Sequence, residues 1–261
     1  MAPIEILGLT AAAAVAGAIN AVAGGGTLLT FPTLLVFGTP PIIANATSTL
    51  ALTVGTAGSV VGFRQHLQSV KPWLWRFGPA SLIGGLIGSE LLTHTSNKTF
   101  AKLVPFLILF ATVIFLAQGI FRRAAAESVD PKRPHPPYSV WAAILFQFIV
   151  AVYGGYFGAG IGILMLASLG FIGLKDIHEM NTLKTVLSTL INLMASAWFI
   201  WAGLIDWPKA AVMTLGAVLG YALGSHYSQR ISQQRVRQII TSIGLILSGV
   251  TFYHEFLRSA H

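Results

Sequence analysis

The chain has 261 residues, of which 54% are hydrophobic and only 9% charged, with a formal net charge of +8 and no cysteine; its mean hydropathy is +0.74. A soluble domain carries roughly 25% charged residues, so most of this surface must face lipid or protein. Disordered, coiled-coil and disulfide-stapled classes are excluded, and with them thiolate metal sites, Fe–S clusters and cysteine nucleophiles. The basic excess sits in short loops between apolar runs, where it reports membrane orientation and not nucleic-acid binding.

Residues 6–63 contain no Asp, Glu, Lys or Arg. Further charge-free runs cover 77–89, 103–121, 134–174, 185–205, 210–229 and 238–254. About 20 apolar residues cross a bilayer core, and backbone groups in lipid must be paired internally, which makes these runs helices. The expected class is an all-α integral membrane protein. The first run is punctuated. Residues 5–21 read as a helix, Gly24-Gly25-Gly26 breaks it, and 27–37 read as a second helix containing Pro32. Gly38-Thr39-Pro40-Pro41 then turns the chain, and Asn45, Thr47 and Ser48 open the next helix, to about Phe63. A helix over 27–37 is too short to span, which points to a broken or re-entrant pair. Ala21-Val22-Ala23 mimics a signal-peptide cleavage site, but the residues before it carry no Lys or Arg, so an integral helix is expected.

The polar stretch 122–137, with four cations and four prolines, divides a first repeat over 1–121 from a second over 138–261. A shift of 136 residues aligns them without a gap and pairs Gly24 with Gly160, Gly26 with Gly162, Asn45 with Asn181, Thr49 with Thr185, Pro72 with Pro208 and Gly88 with Gly224. If the pair over 5–38 returns to its starting side, each half crosses an odd number of times and the halves are inverted. Lys98, Lys102, Lys209 and Arg258 then lie outside, and 11 other Lys and Arg residues inside. Four crossings per half give a poorer 9 to 6 split, so inverted repeats are expected. Each is a glycine-broken pair followed by three transmembrane helices.

Ala23-Gly24-Gly25-Gly26-Thr27-Leu28-Leu29-Thr30-Phe31-Pro32 resembles the GGG…P signature of the sulfite exporter TauE/SafE family of membrane permeases. Gly38-Thr39-Pro40-Pro41 with Ala44-Asn45-Ala46-Thr47-Ser48 resembles that family's next segment. Gly158-Ala159-Gly160-Ile161-Gly162 and Asn181-Thr182-Leu183-Lys184 resemble the second-half partners. The resemblance implies a multi-pass protein of the bacterial plasma membrane that moves small sulfur-containing anions such as sulfite or organosulfonates.

Helices restarting near Gly26 and Gly162 would present free N–H groups and a partial positive charge at mid-membrane depth, a ready anion site. The plainer alternative is that these glycines only permit close packing. Asn45, Ser48 and Thr49 lie on one helical turn, as do Asn181, Lys184 and Thr185, and could donate hydrogen bonds to a sulfonate-like group. Alternatively, Asn45 and Asn181 are N-caps and Lys184 snorkels to the interface. The expected substrate-binding set is Gly24, Gly25, Gly26, Thr27, Asn45, Ser48, Thr49, Gly160, Gly162, Asn181, Lys184 and Thr185. Glu90 and His226 occupy equivalent positions and could carry a coupled proton, although their places near helix ends read more simply as interfacial. Asp176, His178 and Glu179 read as a solvated turn, so no metal is expected. Gly84-x-x-x-Gly88 and Gly220-x-x-x-Gly224 are helix contacts, made within one chain or across a homodimer. No Walker motif, Gly-x-Ser-x-Gly or His-Glu-x-x-His occurs. The expectation is therefore a secondary transporter without a cofactor, its partners a small anion and membrane lipid. Transport of another solute, an intramembrane enzyme and a non-transporting scaffold are the competitors.

Overall fold

The computed structural model describes residues 1–22, 25–62, 67–127, 137–171, 174, 177–227 and 233–253. Among them the chain forms ten α-helices and no strand: α1 (Pro3–Val22), α2 (Thr27–Val36), α3 (Pro41–Gly62), α4 (Leu67–Thr93), α5 (Asn97–Glu127), α6 (Pro137–Tyr156), α7 (Ile161–Phe171), α8 (Ile177–Trp201), α9 (Trp207–Tyr227) and α10 (Gln233–Phe252). Three segments, Pro3–Ala21, Asn97–Ala117 and Glu179–Trp201, are long and apolar enough to cross a membrane by themselves.

Polarity is arranged for lipid. Leu7, Val15, Ile83, Phe110, Leu145, Leu219 and Ile246 point outward, whereas Thr30, Thr47, Ser48, Ser81, Ser89 and Thr182 are fully buried. Exposed Trp75, Trp141, Trp201 and Trp207 lie near helix ends, as aromatic residues do at a membrane–water boundary. α1 is part of the core, with Leu9, Ala13 and Ala16 fully buried.

The two small-residue faces pack inside the chain. A Cβ on Gly220 would strike the Ala14 carbonyl, and one on Gly224 the backbone of Ala18, so α9 lies directly on α1. Equally, Gly84 sits on Phe148 and Ala151, and Gly88 on Val152 and Tyr156, which seats α4 on α6. Residue numbers rise together in both pairs, so the helices run parallel. The contacts repeat between the halves: α1 with α9 is matched by α6 with α4, α3 with α9 by α8 with α4, and α2 with α3 by α7 with α8. Two contacts join a helix to its own counterpart. In α5 with α10, Ser248 Oγ donates to the Pro105 carbonyl (3.1 Å) while Gly244 meets Thr112. In α3 with α8, Thr53 pairs with Ser196 (3.2 Å), and Thr47 Oγ1 accepts from Asp206 N, just past the end of α8 (3.1 Å). In both pairs one number rises as the other falls, so the helices are antiparallel.

The pair α1–α2 returns to the end at which it began. Lys209 Nζ, at the start of α9, bridges Glu5 Oε1 (3.1 Å) and donates to the Phe37 carbonyl (3.2 Å) and Thr39 Oγ1 (2.9 Å). With 10 residues, α2 is about 15 Å long, half the hydrocarbon core.

Two helix starts differ from the sequence expectation. α3 begins at Pro41, where proline's fixed φ suits a first helical position, and α8 begins at Ile177 with Glu179 in its first turn. Asn45 and Asn181 are therefore inside their helices and not N-caps. Lys184 lies beyond the first turn of α8, where a cation does not oppose the helix dipole.

Candidate functional site

Both helix breaks occur where glycine lets the backbone reverse. Gly25 has φ +94°, Gly158 +82° and Gly160 +80°, values that L side chains rarely adopt. Both breaks meet the same ring. A Cβ on Gly25 would overlap Phe115 of α5, and one on Gly160 would lie 3.7 Å from it. Phe115 is fully buried, so breaks from opposite halves of the chain converge on one side chain in the protein interior.

The first break is capped at Gly26 by side chains of its own repeat. Gly26 N–H donates to Asn20 Oδ1 at 2.7 Å. Thr30 Oγ1 donates to the Gly26 carbonyl (3.2 Å) and sits 2.6 Å from Ser48 Oγ. A hydroxyl has one hydrogen to give, so with Thr30 committed to Gly26, Ser48 is the donor in that pair. Ser48 is thus tied to the break, while Thr49 turns back to donate to the Asn45 carbonyl of its own helix (2.8 Å). Thr27 opens α2 and is half-buried. Gly24 lies outside the described residues.

The second break is assembled differently. Phe157 N and Gly158 N both donate to the Tyr153 carbonyl (2.9 and 3.1 Å), and Tyr153 OH donates to the Ala159 carbonyl (2.9 Å). Ile163 is the first residue of the new helix whose N–H reaches a carbonyl, that of Gly160 (3.1 Å). Among the described residues, no backbone carbonyl takes the N–H groups of Ala159, Gly160, Ile161 and Gly162. These are the open donors of the α7 N-terminus.

Two side chains bracket this segment. Lys184 lies along Gly162, where an added Cβ would be 3.3 Å from Lys184 Cδ, and its Nζ donates to Asn181 Oδ1 at 3.3 Å. Asn45, from the first repeat, donates from Nδ2 to the Tyr156 carbonyl at 3.1 Å. A carbonyl can only accept, so the NH₂ must face Tyr156 and Oδ1 must point away from it. That Oδ1 is buried and has no hydrogen-bond partner.

Of the expected residues, Gly160, Gly162, Asn181 and Lys184 gather at the second break, joined by Asn45 from across the molecule. Gly25, Gly26 and Ser48 form the first. Thr185 is half-buried on α8. Glu90 is exposed near the end of α4, while the His226 side chain and Asp176 lie outside the described residues. Asn20, Thr30, Phe115, Tyr153 and Tyr156 were not singled out from the sequence. Asn20 offered a signal, as the one amide side chain in α1, six positions before Gly26.

An apolar exterior, polar side chains kept to the interior and two helix pairs broken at glycine define a multi-pass helical membrane protein. The chain belongs to the sulfite exporter TauE/SafE family, whose profile matches residues 9–251. It is 27% identical over 243 residues to a probable membrane transporter protein of Haemophilus influenzae, covering 92% of each chain. It is 25% identical over 244 residues to the probable membrane transporter protein YfcA of Escherichia coli, covering 92% of this chain and 87% of that one. A third relative, the probable membrane transporter protein YunE of Bacillus subtilis, is 25% identical over 279 residues, with 98% of each chain covered. No solved structure matches the chain.

Proposed function

We propose that the protein is a secondary transporter of small sulfur-containing anions, sulfite or simple organosulfonates, which pass between the two repeats beside the glycine breaks. The observation that carries this reading is the run of open N–H donors at Ala159–Gly162, buried over Ala159–Ile161 next to the ring where both breaks meet, with the half-buried Lys184 alongside. An anion leaving water needs donors to replace its hydration, and a helix N-terminus with a neighbouring ammonium supplies them. Gly160, Gly162, Asn181, Lys184 and Thr185 form the main contact, with Asn45 opposite. Gly25, Gly26, Thr27, Ser48 and Thr49 shape the facing wall. The names of the three relatives support transport as the class of function.

The repeats, 1–121 and 138–261 joined by the basic segment 122–137, are read as inverted, with the Glu5–Lys209 end on the outside of a bacterial plasma membrane. The antiparallel pairing of α5 with α10 and of α3 with α8 supports this. Equivalent helices run antiparallel when the relating axis is perpendicular to them, hence in the membrane plane. Lys71 and Trp207 are equivalent positions, both exposed. In this cysteine-free chain, Lys71→Cys and Trp207→Cys should be labelled by an impermeant thiol reagent from opposite sides of the membrane. Labelling from one side would make the repeats parallel.

The functional test is flux. Purified protein in liposomes should carry sulfite or a small alkanesulfonate in a saturable manner, and Lys184→Ala should lose that flux at low substrate while remaining folded. Flux of every such anion equal to that of empty liposomes would overturn the reading.

A further inference from the structure

The acceptor left open on Asn45 gives the site a polarity that an anion-only site would lack. The segment 156–162 is flanked at its last residue by Lys184 and lined over 159–162 by N–H groups, all donors. At its first residue stands Asn45, 1% exposed, whose Nδ2 is held by the Tyr156 carbonyl and whose Oδ1 has no partner. An oxyanion brought against that oxygen would be repelled, since neither supplies a hydrogen. A buried acceptor without a donor is costly, and a side chain pinned by its other branch cannot rotate to relieve it.

We propose that Asn45 Oδ1 is a specificity-determining acceptor, and that the solute is an oxyanion that also carries a hydrogen-bond donor, such as a hydroxyl or ammonium group on the same small molecule. The oxyanion end faces Lys184 and the α7 N-terminus, and the donor end faces Asn45. This rests on the transport reading above and narrows its substrate class. It assigns Asn45 the role of acceptor, where its amide type alone would equally have served as donor to the anion. Discrimination follows from the cost of leaving the site's own polar group unpaired, the mechanism by which protein sites reject analogues that lack one hydroxyl.

Three probes of similar size separate the outcomes: 2-aminoethanesulfonate, 2-hydroxyethanesulfonate and ethanesulfonate. Their binding to the detergent-purified full chain is read by titration and by thermal stabilisation. In the wild type, ethanesulfonate should bind about 5- to 100-fold more weakly than the better of the other two. In Asn45→Leu, which removes the acceptor at similar volume, the three affinities should converge. Equal affinities in the wild type would mean that a resident water satisfies Oδ1, and would overturn the proposal. Discrimination that persists in Asn45→Leu would also overturn it. Should the leucine variant fail to fold, the wild-type series decides alone. If ethanesulfonate and the donor-bearing sulfonates bind equally well, only the acceptor role falls. If no sulfonate and no sulfite binds at all, the transport reading falls with it.

Discussion

The first break is capped at Gly26 by side chains of its own repeat and the second is not capped at the equivalent Gly162, although both descend from one repeated pattern. Three substitutions account for the difference. Where the first repeat has Asn20, Thr30 and Ser48, the second has Tyr156, Leu166 and Lys184. Asn20 caps the Gly26 N–H, and Thr30 with Ser48 satisfies the carbonyl and hydroxyl beside it. Tyr156 has no side-chain acceptor able to reach back to Gly162; its phenol lies 3.4 Å from Thr95 Oγ1. Leu166 offers no hydrogen bond, and Lys184 brings a positive charge where the first repeat has a hydroxyl. A pseudo-symmetric scaffold thus carries a one-sided site. The first break stabilises, and the second presents donors to a solute.

Substitutions at the two breaks should therefore separate stability from binding. The largest effect should come from Gly25→Leu, which forces a side chain onto a positive φ and into the Phe115 ring. Strain and overpacking together should cost about 3–5 kcal/mol, seen as a steep fall in the melting temperature of the detergent-solubilised protein and as lost flux. Wild-type stability there would mean that Phe115 does not hold the breaks together.

Lys184→Ala should come next, weakening sulfonate binding by roughly 1.5–3 kcal/mol through loss of one charge-assisted hydrogen bond, with little change in melting temperature. Lys184→Arg should restore binding only in part, because the planar guanidinium needs a different geometry. Unchanged affinity in Lys184→Ala would place the anion elsewhere.

Asn20→Ala should show the reverse pattern. It strips the cap from Gly26 N–H and should lower stability by about 0.5–2 kcal/mol, while sulfonate affinity stays at the wild-type value. A loss of affinity without a loss of stability would show that the first break also binds solute.

Gly162→Ala should be the mildest. The added methyl would press on Lys184 Cδ at 3.3 Å, and displacing that flexible chain from its rotamer should weaken binding by about 0.5–1.5 kcal/mol with stability retained. An affinity loss as large as that of Lys184→Ala would mean that the Gly162 backbone itself touches the solute.

Much of the fold was legible because the signals are local. A helix interrupted by Gly24-Gly25-Gly26 and followed by only eleven residues, 27–37, before the turn at Gly38 cannot span, and an undersized helix likewise follows the second glycine cluster. The helix starts at Pro41 and Ile177 were read about one turn late, because polar Asn45 and Asn181 looked like caps, while the preceding proline and the Asp-Ile-His-Glu segment are also helix-starting signals. The glycine pairs at Gly84 and Gly88 and at Gly220 and Gly224 announced close helix contacts, but not their partners. Those proved to be α6 and α1 of the same chain.

Composition, apolar run length and glycine placement by themselves determined a helical membrane protein with two broken pairs, because in lipid each backbone group must be satisfied within its own helix or at a deliberate break. Only the tertiary structure decided which break is capped and which is open. Asn45 and Tyr156 are 111 positions apart, and Phe115 reaches Gly25 and Gly160 from a third helix. No periodicity encodes such meetings. They depend on how each helix is rotated and where its partner's small residues let the backbones approach, a packing result shared by the described helices at once.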